Sequence, residues 1–345
     1  MQKRVVIIGG GFAGTCVARK LQNHYSVTLI DSKDYFEFTP SVLRTIVEPQ
    51  HAEKIQAQHL AYLQKTVVIK EYATDITNKE VITPTRVFAY DYLVICTGSS
   101  YKAPIKDGDT ITATRAQELV SYARKLKQSN SVLIIGGGLV GVELAAEIIE
   151  KHPSKKITIV HGNSELIERN PAIARNYAYK FLKRRKVNMV FSEIVTGKMG
   201  KIYATNKNTQ FSADMAFMCI GISPNSGYLK GFFAPIIDSH GFLKVNRFLQ
   251  AEGFRNIFAA GDVTAIMEEK TAQNAEKHAD IIAKNIEALE IEHELKEYKP
   301  KPRIMVISLG KWNGIIIYKS LVLTGIIAAF AKWFAEWKTM VDHKP

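Results

Sequence analysis

Only three cysteines occur in 345 residues, Cys16, Cys96 and Cys219, and no two share a CxxC or CxxxxC spacing. That pattern suggests a reducing compartment and no zinc site, and it removes thiol–disulfide exchange, which needs paired sulfurs. Low-complexity tracts are missing. The most apolar stretch, about Leu321 to Lys338, is interrupted by Lys332 and Glu336, so it falls short of the roughly 20 apolar residues of a membrane span. No signal peptide is expected before a first strand that starts by Arg4, and Gln2 leaves no glycine for N-myristoylation.

Acidic residues are also scarce: 33 against 46 Lys and Arg, for a net charge of +13. The last 50 residues hold nine Lys or Arg and three acids. A basic tail suits anionic lipid or nucleic acid, and a solvated basic surface is the plainer reading. Apolar residues make up 46 %, enough for a chain of this length to bury two or three cores.

Glycine, by contrast, is placed with a pattern. Val5-Val6-Ile7-Ile8 runs into Gly9-Gly10-Gly11-Phe12-Ala13-Gly14. A β-branched run followed by GxGxxG and a helix, here about Phe12 to Gln22, is a dinucleotide fingerprint. Gly9 permits the turn, Gly11 lets backbone approach a pyrophosphate, and Gly14 lets the helix pack on the strand. The helix N-terminus then faces the phosphates. A second strand, Val27 to Ile30, ends at Asp31, whose carboxylate can accept both hydroxyls of an adenosine ribose. Arg44 stands either on a phosphate or adenine, or as an ordinary surface charge. Tyr90 to Ser99 reads as a strand entering a Thr97-Gly98 turn that brings backbone N–H groups to a cofactor and leads into the next domain.

The pattern repeats. Ser131 to Ile135 enters Gly136-Gly137-Gly138-Leu139-Val140-Gly141, a helix from Val140 to Lys151 carries Glu143, and Ile157 to Val160 ends at His161. A fixed carboxylate is missing from that strand end, which predicts weak discrimination between NADH and NADPH. Met215 to Ile220 leads to Gly221 in a Gly-x-x-Pro turn that faces the nicotinamide half or simply connects back. A strand over Gly241 to Asn246 and another over Asn256 to Ala260 precede Gly261-Asp262, where the acid can bond a flavin ribitol. The helix from about Lys270 to Leu289 offers Gln273 and His278 as polar groups for an electron-acceptor site, His278 being equally consistent with a surface histidine.

The tail reads as a hairpin, Arg303 to Gly310 with Gly314 to Tyr318, turning at Asn313-Gly314. A helix from about Leu321 to Lys338 follows. Val322, Ile326, Phe330, Trp333 and Trp337 share one side of it, as in a helix lying in a membrane interface; packing on the core is the competing reading.

With these residues in hand, the chain resembles the FAD-dependent flavoproteins of the pyridine nucleotide-disulfide oxidoreductase fold. Within them it resembles the group that holds type II NADH:quinone oxidoreductases and the mitochondrion-associated apoptosis-inducing-factor homologues, with a ferroptosis-suppressor branch. Gly9 to Gly14, Thr97-Gly98-Ser99, Gly136 to Glu143 and Ala260-Gly261-Asp262 carry the fold-wide likeness. His161, the Arg44 region, Tyr298-Lys299-Pro300, Ser308-Leu309-Gly310, Asn313-Gly314 and Trp337-Lys338-Thr339-Met340 carry the branch, while Thr271-Ala272-Gln273 looks like the quinone motif of the type II enzymes.

The resemblance implies an α/β protein of two Rossmann-like dinucleotide-binding domains with a C-terminal hairpin-helix extension. The expected organisation is an FAD domain over residues 1–105 and 240–295, an NAD(P)H domain over 106–239, and a membrane- and quinone-facing tail over 296–345. It implies non-covalent FAD, contacted by Gly9 to Ala13, by Arg44, by the backbone near Glu71 and by Asp262. It implies NADH or NADPH as donor and a membrane quinone as two-electron acceptor, near Gln273, His278 and the tail, with Lys332 the nearest candidate for a lysine beside the flavin. No catalytic residue beyond the flavin and no metal is expected. The expected location is peripheral on a membrane, on its reducing side. A homodimer stays open, and nucleic acid is not an expected partner. The alternatives are a ferredoxin- or rubredoxin-type reductase and a flavin-bearing DNA-binding protein.

Overall fold

In the computed structural model, residues 2–101, 110–112, 116–229 and 231–344 are described. The expected domain boundary at 105/106 lies outside them. Two five-stranded parallel sheets organise the chain. The first runs, in spatial order, Ile257–Ala259, Tyr92–Ile95, Arg4–Ile8, Ser26–Asp31 and Val67–Lys70. The second runs Thr110–Thr112, Met215–Met218, Ser131–Ile135, Lys156–His161 and Asn188–Phe191. Their central strands are apolar along their whole length because both faces are covered, by helices on one side and by a three-stranded antiparallel sheet on the other: Val5 to Ile8 and Val132 to Ile135 are all buried.

Each glycine loop opens a helix, Phe12–Leu21 and Leu139–Lys151. The first packs against the long helix Ala272–Glu290, where Val17, Ala18 and Leu21 meet Ala279, Ile282 and Ile286. Small residues let the two helices approach closely, and a fully buried leucine such as Leu21 contributes roughly 2 kcal/mol. Thr271 caps the long helix through its hydroxyl, which accepts from the Asn274 N–H at 3.3 Å.

Three sequence expectations need correction. Residues Gly241 to Asn246 form no ladder, only single bridges at Leu243 and Val245. The tail hairpin, Met305–Ser308 with Gly314–Tyr318, pairs Gly314 within the strand. Its connection is therefore Leu309 to Asn313, with Gly310 at φ +81° supplying the left-handed residue that Asn-Gly was expected to supply. Finally, Leu321–Thr324 is a third antiparallel strand rather than the start of a helix. Its aliphatic residues satisfy the edge of the Gly314–Tyr318 strand, Gly325 breaks the chain at φ +92°, and the tail helix spans Ile326–Val341.

That helix is amphipathic in the inverted sense. Ile326, Ile327, Phe330, Trp333, Phe334, Trp337 and Val341 face outward at 50–62 % exposure. Polar side chains instead tie it down: Lys332 bonds Glu143 at 2.9 Å and Glu336 meets His51 at 3.2 Å. Below its end, His343 stacks on Phe36 with ring centroids 3.9 Å apart. No helix among the described residues is long and apolar enough to cross a membrane.

Candidate nucleotide and acceptor site

The two glycine loops superpose residue on residue in their bonding. The Gly9 N–H donates to the Ile30 carbonyl and the Gly136 N–H to the Val160 carbonyl, both at 2.8 Å. A Cβ built on Gly14 or Gly141 would strike the carbonyl oxygen of Gly9 or Gly136, and one on Gly136 would lie 2.5 Å from the Cys219 oxygen. Gly9 is closed off in the same way by the Cys96 carbonyl, and Gly10 by His59. Those glycines are demanded by the protein's own backbone and neighbours. Gly11 and Gly138 are different: an added Cβ would meet nothing within 4 Å, and both have ordinary extended backbone. Each is bare where it lines the central cleft, which is the shape a close-lying pyrophosphate requires.

That cleft, about 2110 Å³, runs between the sheets to the tail. Gly9, Phe12, Ala13, Asp31, Glu71, Thr97 and Gly98 line the first-sheet side, with Gly261 and Asp262 beside them. Asp31 accepts from the Gly10 N–H and, at 2.7 Å, from the Lys33 N–H, which fixes its carboxylate at the strand end. Glu71 turns its side chain to Thr85 at 2.6 Å, leaving its backbone to the cleft. Asp262 accepts from the Ser99 hydroxyl at 2.8 Å. Thr97 is pinned by Asn225, whose amide donates to the Thr97 carbonyl at 2.9 Å. These residues fit a bound FAD: a bare loop for the diphosphate, an acid for the adenosine ribose and another for the ribitol chain.

On the second-sheet side Gly138, Leu139, Val140, Glu143 and Gly221 line the same space. His161 packs against Gly137 behind the loop, and its Nε2 lies 3.2 Å from Glu168 Oε2. The Asn163 amide donates to Glu168 Oε1 at 2.8 Å. Glu168, not the strand-end residue, thus brings a carboxylate to the cleft. Burial works against its charge, but bonds from its own backbone, His161 and Asn163 outweigh that and hold it below the usual carboxylate range. A carboxylate there favours a free 2′-hydroxyl over a 2′-phosphate. Glu168→Gln is expected to shift the NADPH-to-NADH ratio of kcat/KM upward by about tenfold, or about 1.4 kcal/mol, measured by steady-state kinetics with both donors.

Three expected site residues stand behind the cleft. Arg44 forks onto Glu147 at 3.0 and 3.3 Å instead of facing the cofactor space. His161 lies behind Glu168, in contact with its carboxylate. His278, offered as an acceptor-site residue, is only 1 % exposed. Its Nδ1 accepts from the Gly261 N–H at 3.1 Å, and its Nε2 lies 2.8 Å from Glu268 Oε1. Tyr298 donates to the other Glu268 oxygen at 2.6 Å. His278 therefore supports the Gly261-Asp262 turn, which needs glycine at φ +73°.

Burial raises the Glu268 pKa, but the bonds from His278 and Tyr298 win and hold it below its ordinary 4.5. A depressed folded-state value stabilises the fold above the ordinary carboxyl range, and that contribution disappears as pH falls through the folded value. His278→Ala strands both the Gly261 amide and Glu268. It is expected to cost about 1–3 kcal/mol and to release FAD at lower temperature, followed by flavin fluorescence during thermal unfolding.

The far end of the cleft is closed by the tail. Gln273, Ile304, Met305, Val306 and Lys332 line it. Gln273 donates to the Ile304 carbonyl at 3.3 Å. Glu143 accepts from both the Ser308 N–H at 2.7 Å and the Lys332 ammonium at 2.9 Å, so a residue of the second glycine-loop helix is clamped by two tail elements. Cys96 and Cys219 sit buried at the strand ends, and burial lifts both thiols, Cys219 to about 12. Neither is a reactive thiolate at neutral pH. Sequence spacing missed Glu168 and Glu268; Ser99 and Tyr298 lie in motifs that carry the resemblance, which gave neither of them a bonding role.

Two dinucleotide cradles opening on one cleft define a two-nucleotide flavoprotein. Residues 3–279 match the family model described as pyridine nucleotide-disulphide oxidoreductase. The chain belongs to that family and is a flavin-dependent NAD(P)H oxidoreductase that binds FAD. It is 34 % identical to apoptosis-inducing factor homolog B of Dictyostelium discoideum, over 91 % of this chain and 89 % of that protein. It is 30 % identical to ferroptosis suppressor protein 1 of Taeniopygia guttata, over 99 % and 97 %. Among solved structures it resembles the sulfide:quinone oxidoreductase of Aquifex aeolicus, with TM-score 0.87, 20 % identity and coverage of 99 % of this chain and 91 % of that one. NDH2 from Plasmodium falciparum in complex with NADH gives TM-score 0.85 at 15 % identity, covering 99 % and 98 %.

Proposed function

We propose that this chain is an NAD(P)H:quinone oxidoreductase working at a membrane surface, with an FAD domain formed by residues 1–105 and 240–295 and an NAD(P)H domain by 106–239. The observation that carries the acceptor is the junction of Glu143, Lys332 and Ser308 at the tail end of the cleft, beside a helix whose aromatic face is turned outward. A quinone dissolves in lipid, so its reductase needs both a lipid-facing surface and a polar group inside it. The name of one similar structure, the sulfide:quinone oxidoreductase of Aquifex aeolicus, includes a quinone acceptor and supports this reading.

FAD, when bound, supplies the two-electron relay between donor and acceptor. The chain's residues do the rest. Gly11 and Gly138 admit the two diphosphates, Asp31 and Glu168 hold riboses, and Asp262 holds the ribitol chain. The net reaction takes NAD(P)H, a proton and a quinone to NAD(P)⁺ and a quinol. Lys332 is the group placed to donate a hydrogen bond, or that proton, to a quinone oxygen. Ile304, Met305 and Val306 give that end of the cleft an apolar wall.

Lys332→Met tests this. Quinone reduction is expected to fall about 10²-fold, while anaerobic flavin reduction by NADH stays within about threefold. Stopped-flow traces of the two half-reactions separate these effects. Equal slowing of both would remove Lys332 from the acceptor side.

A further inference from the structure

A second cavity, about 310 Å³, lies between the tail helix and the segment from Ser41 to Lys54. We propose that it seats the phosphate headgroup of one anionic membrane lipid, so that the protein chooses its membrane by charge as well as by apolar contact. This rests on the membrane-surface reading above.

The charges lining the cavity decide what it takes. Arg44 is satisfied by Glu147, Lys332 by Glu143 and Glu48 by Lys151 at 3.5 Å, while the Glu336 carboxylate is held by a hydrogen bond to the His51 ring at 3.2 Å. Lys54 and Lys311 also line it, both are exposed, and among the described residues neither forms an ion pair. The exposed charges at the mouth are therefore cationic; the Glu150 carboxylate behind Lys311 is taken up by the Lys311 N–H at 2.8 Å. The Lys311 ammonium lies 5.3 Å from the Trp312 ring centroid, which holds it at the rim.

Shape separates a lipid from a free anion. Trp312, Phe330 and Trp333 line the cavity and are each more than half exposed. Phe330 and Trp333 belong to the outward apolar stripe of the helix, so acyl chains leaving the cavity have a continuous apolar surface to follow. The volume sits at the small end of ligand sites, suiting a headgroup with its chains outside. Aromatic residues at the level of a bound headgroup match the chemistry of a membrane interface.

All three tryptophans of the chain are in this tail, at 312, 333 and 337, so tryptophan emission, excited selectively over tyrosine, reports on it alone. The FAD-loaded full chain is titrated with phosphatidylcholine vesicles with and without phosphatidylglycerol, with monomeric dihexanoyl-phosphatidylglycerol, and with inorganic phosphate. The expected results are preference for phosphatidylglycerol vesicles and saturable one-to-one binding of the short lipid, with no response to inorganic phosphate. Lys54→Glu with Lys311→Glu is expected to weaken vesicle binding about thirtyfold and to abolish short-lipid binding. Lys79→Glu with Lys207→Glu, carrying the same net charge on distant turns, is expected to change it less than threefold. Equal losses in the two double variants would show diffuse attraction and overturn the seat. An equal response to inorganic phosphate, indifference to phosphatidylglycerol, or displacement of the short lipid by a quinone would overturn it as well. Reduction of a water-soluble quinone without lipid is measured in parallel. Its absence in the unmodified chain would end the quinone reading while leaving the lipid result to stand alone.

Discussion

Gly11→Val is expected to give a folded but colourless protein. The backbone at Gly11 has φ −84° and ψ −162°, which valine adopts without strain, and a Cβ there meets no protein atom within 4 Å. What the side chain would fill is the space where a diphosphate must pass. The expected loss is at least about 10²-fold in FAD affinity, because a branched side chain would hold the phosphates off the N–H groups of the loop. Absorbance near the flavin bands, before and after incubation with excess FAD, measures it, and circular dichroism shows that the fold persists. Gly14→Val is the instructive contrast. Its Cβ strikes the Gly9 carbonyl, so that variant is expected to fail by misfolding, with aggregation instead of a soluble apoprotein.

Gly138→Val applies the same logic to the second cradle and separates the two sites. Its backbone, φ −72° and ψ −170°, also accepts valine, and its Cβ is also unopposed. The protein is expected to stay yellow and to melt within a few degrees of the unmodified chain. Its reduction by NADH should fall at least about 10²-fold, equivalent to about 2.7 kcal/mol. Dithionite should still bleach the flavin fully, and a quinone should still reoxidise it. Loss of colour in Gly138→Val would mean that the two loops do not serve separate nucleotides.

The parts legible in the sequence are those where chemistry constrains a short stretch of backbone. The glycine loops announce themselves because a strand, a tight turn and a helix N-terminus must follow within about ten residues. Asp31 is legible for the same reason, being fixed at the end of the next strand. Glu168 was not, because its carboxylate reaches the cleft from a loop and its role depends on His161 and Asn163 folding under it. Nor was the pair of Glu143 and Lys332, 189 residues apart, since nothing in spacing records which helix face a distant tail will cover. His278 carried the right residue in the wrong layer. A histidine on an amphipathic helix gives no sign of whether it faces solvent or a buried Glu268. The third tail strand was hidden by ambiguity, because Leu321 to Thr324 is apolar enough to extend a helix and short enough to be a strand. Gly325 decided it. The outward apolar stripe of the tail helix was visible as periodicity, but its direction was not. Only the bonds of Lys332 and Glu336 toward the body show that the polar side faces in.

The most direct test of the central claim is a single anaerobic cuvette. The purified yellow protein is mixed with one equivalent of NADH, the flavin band is followed, and an ubiquinone analogue is then added. Bleaching by NADH followed by full return of the band, with one quinol formed per NADH consumed, is the predicted result. A flavin that NADH bleaches but that no quinone restores, while a ferredoxin does, would contradict it.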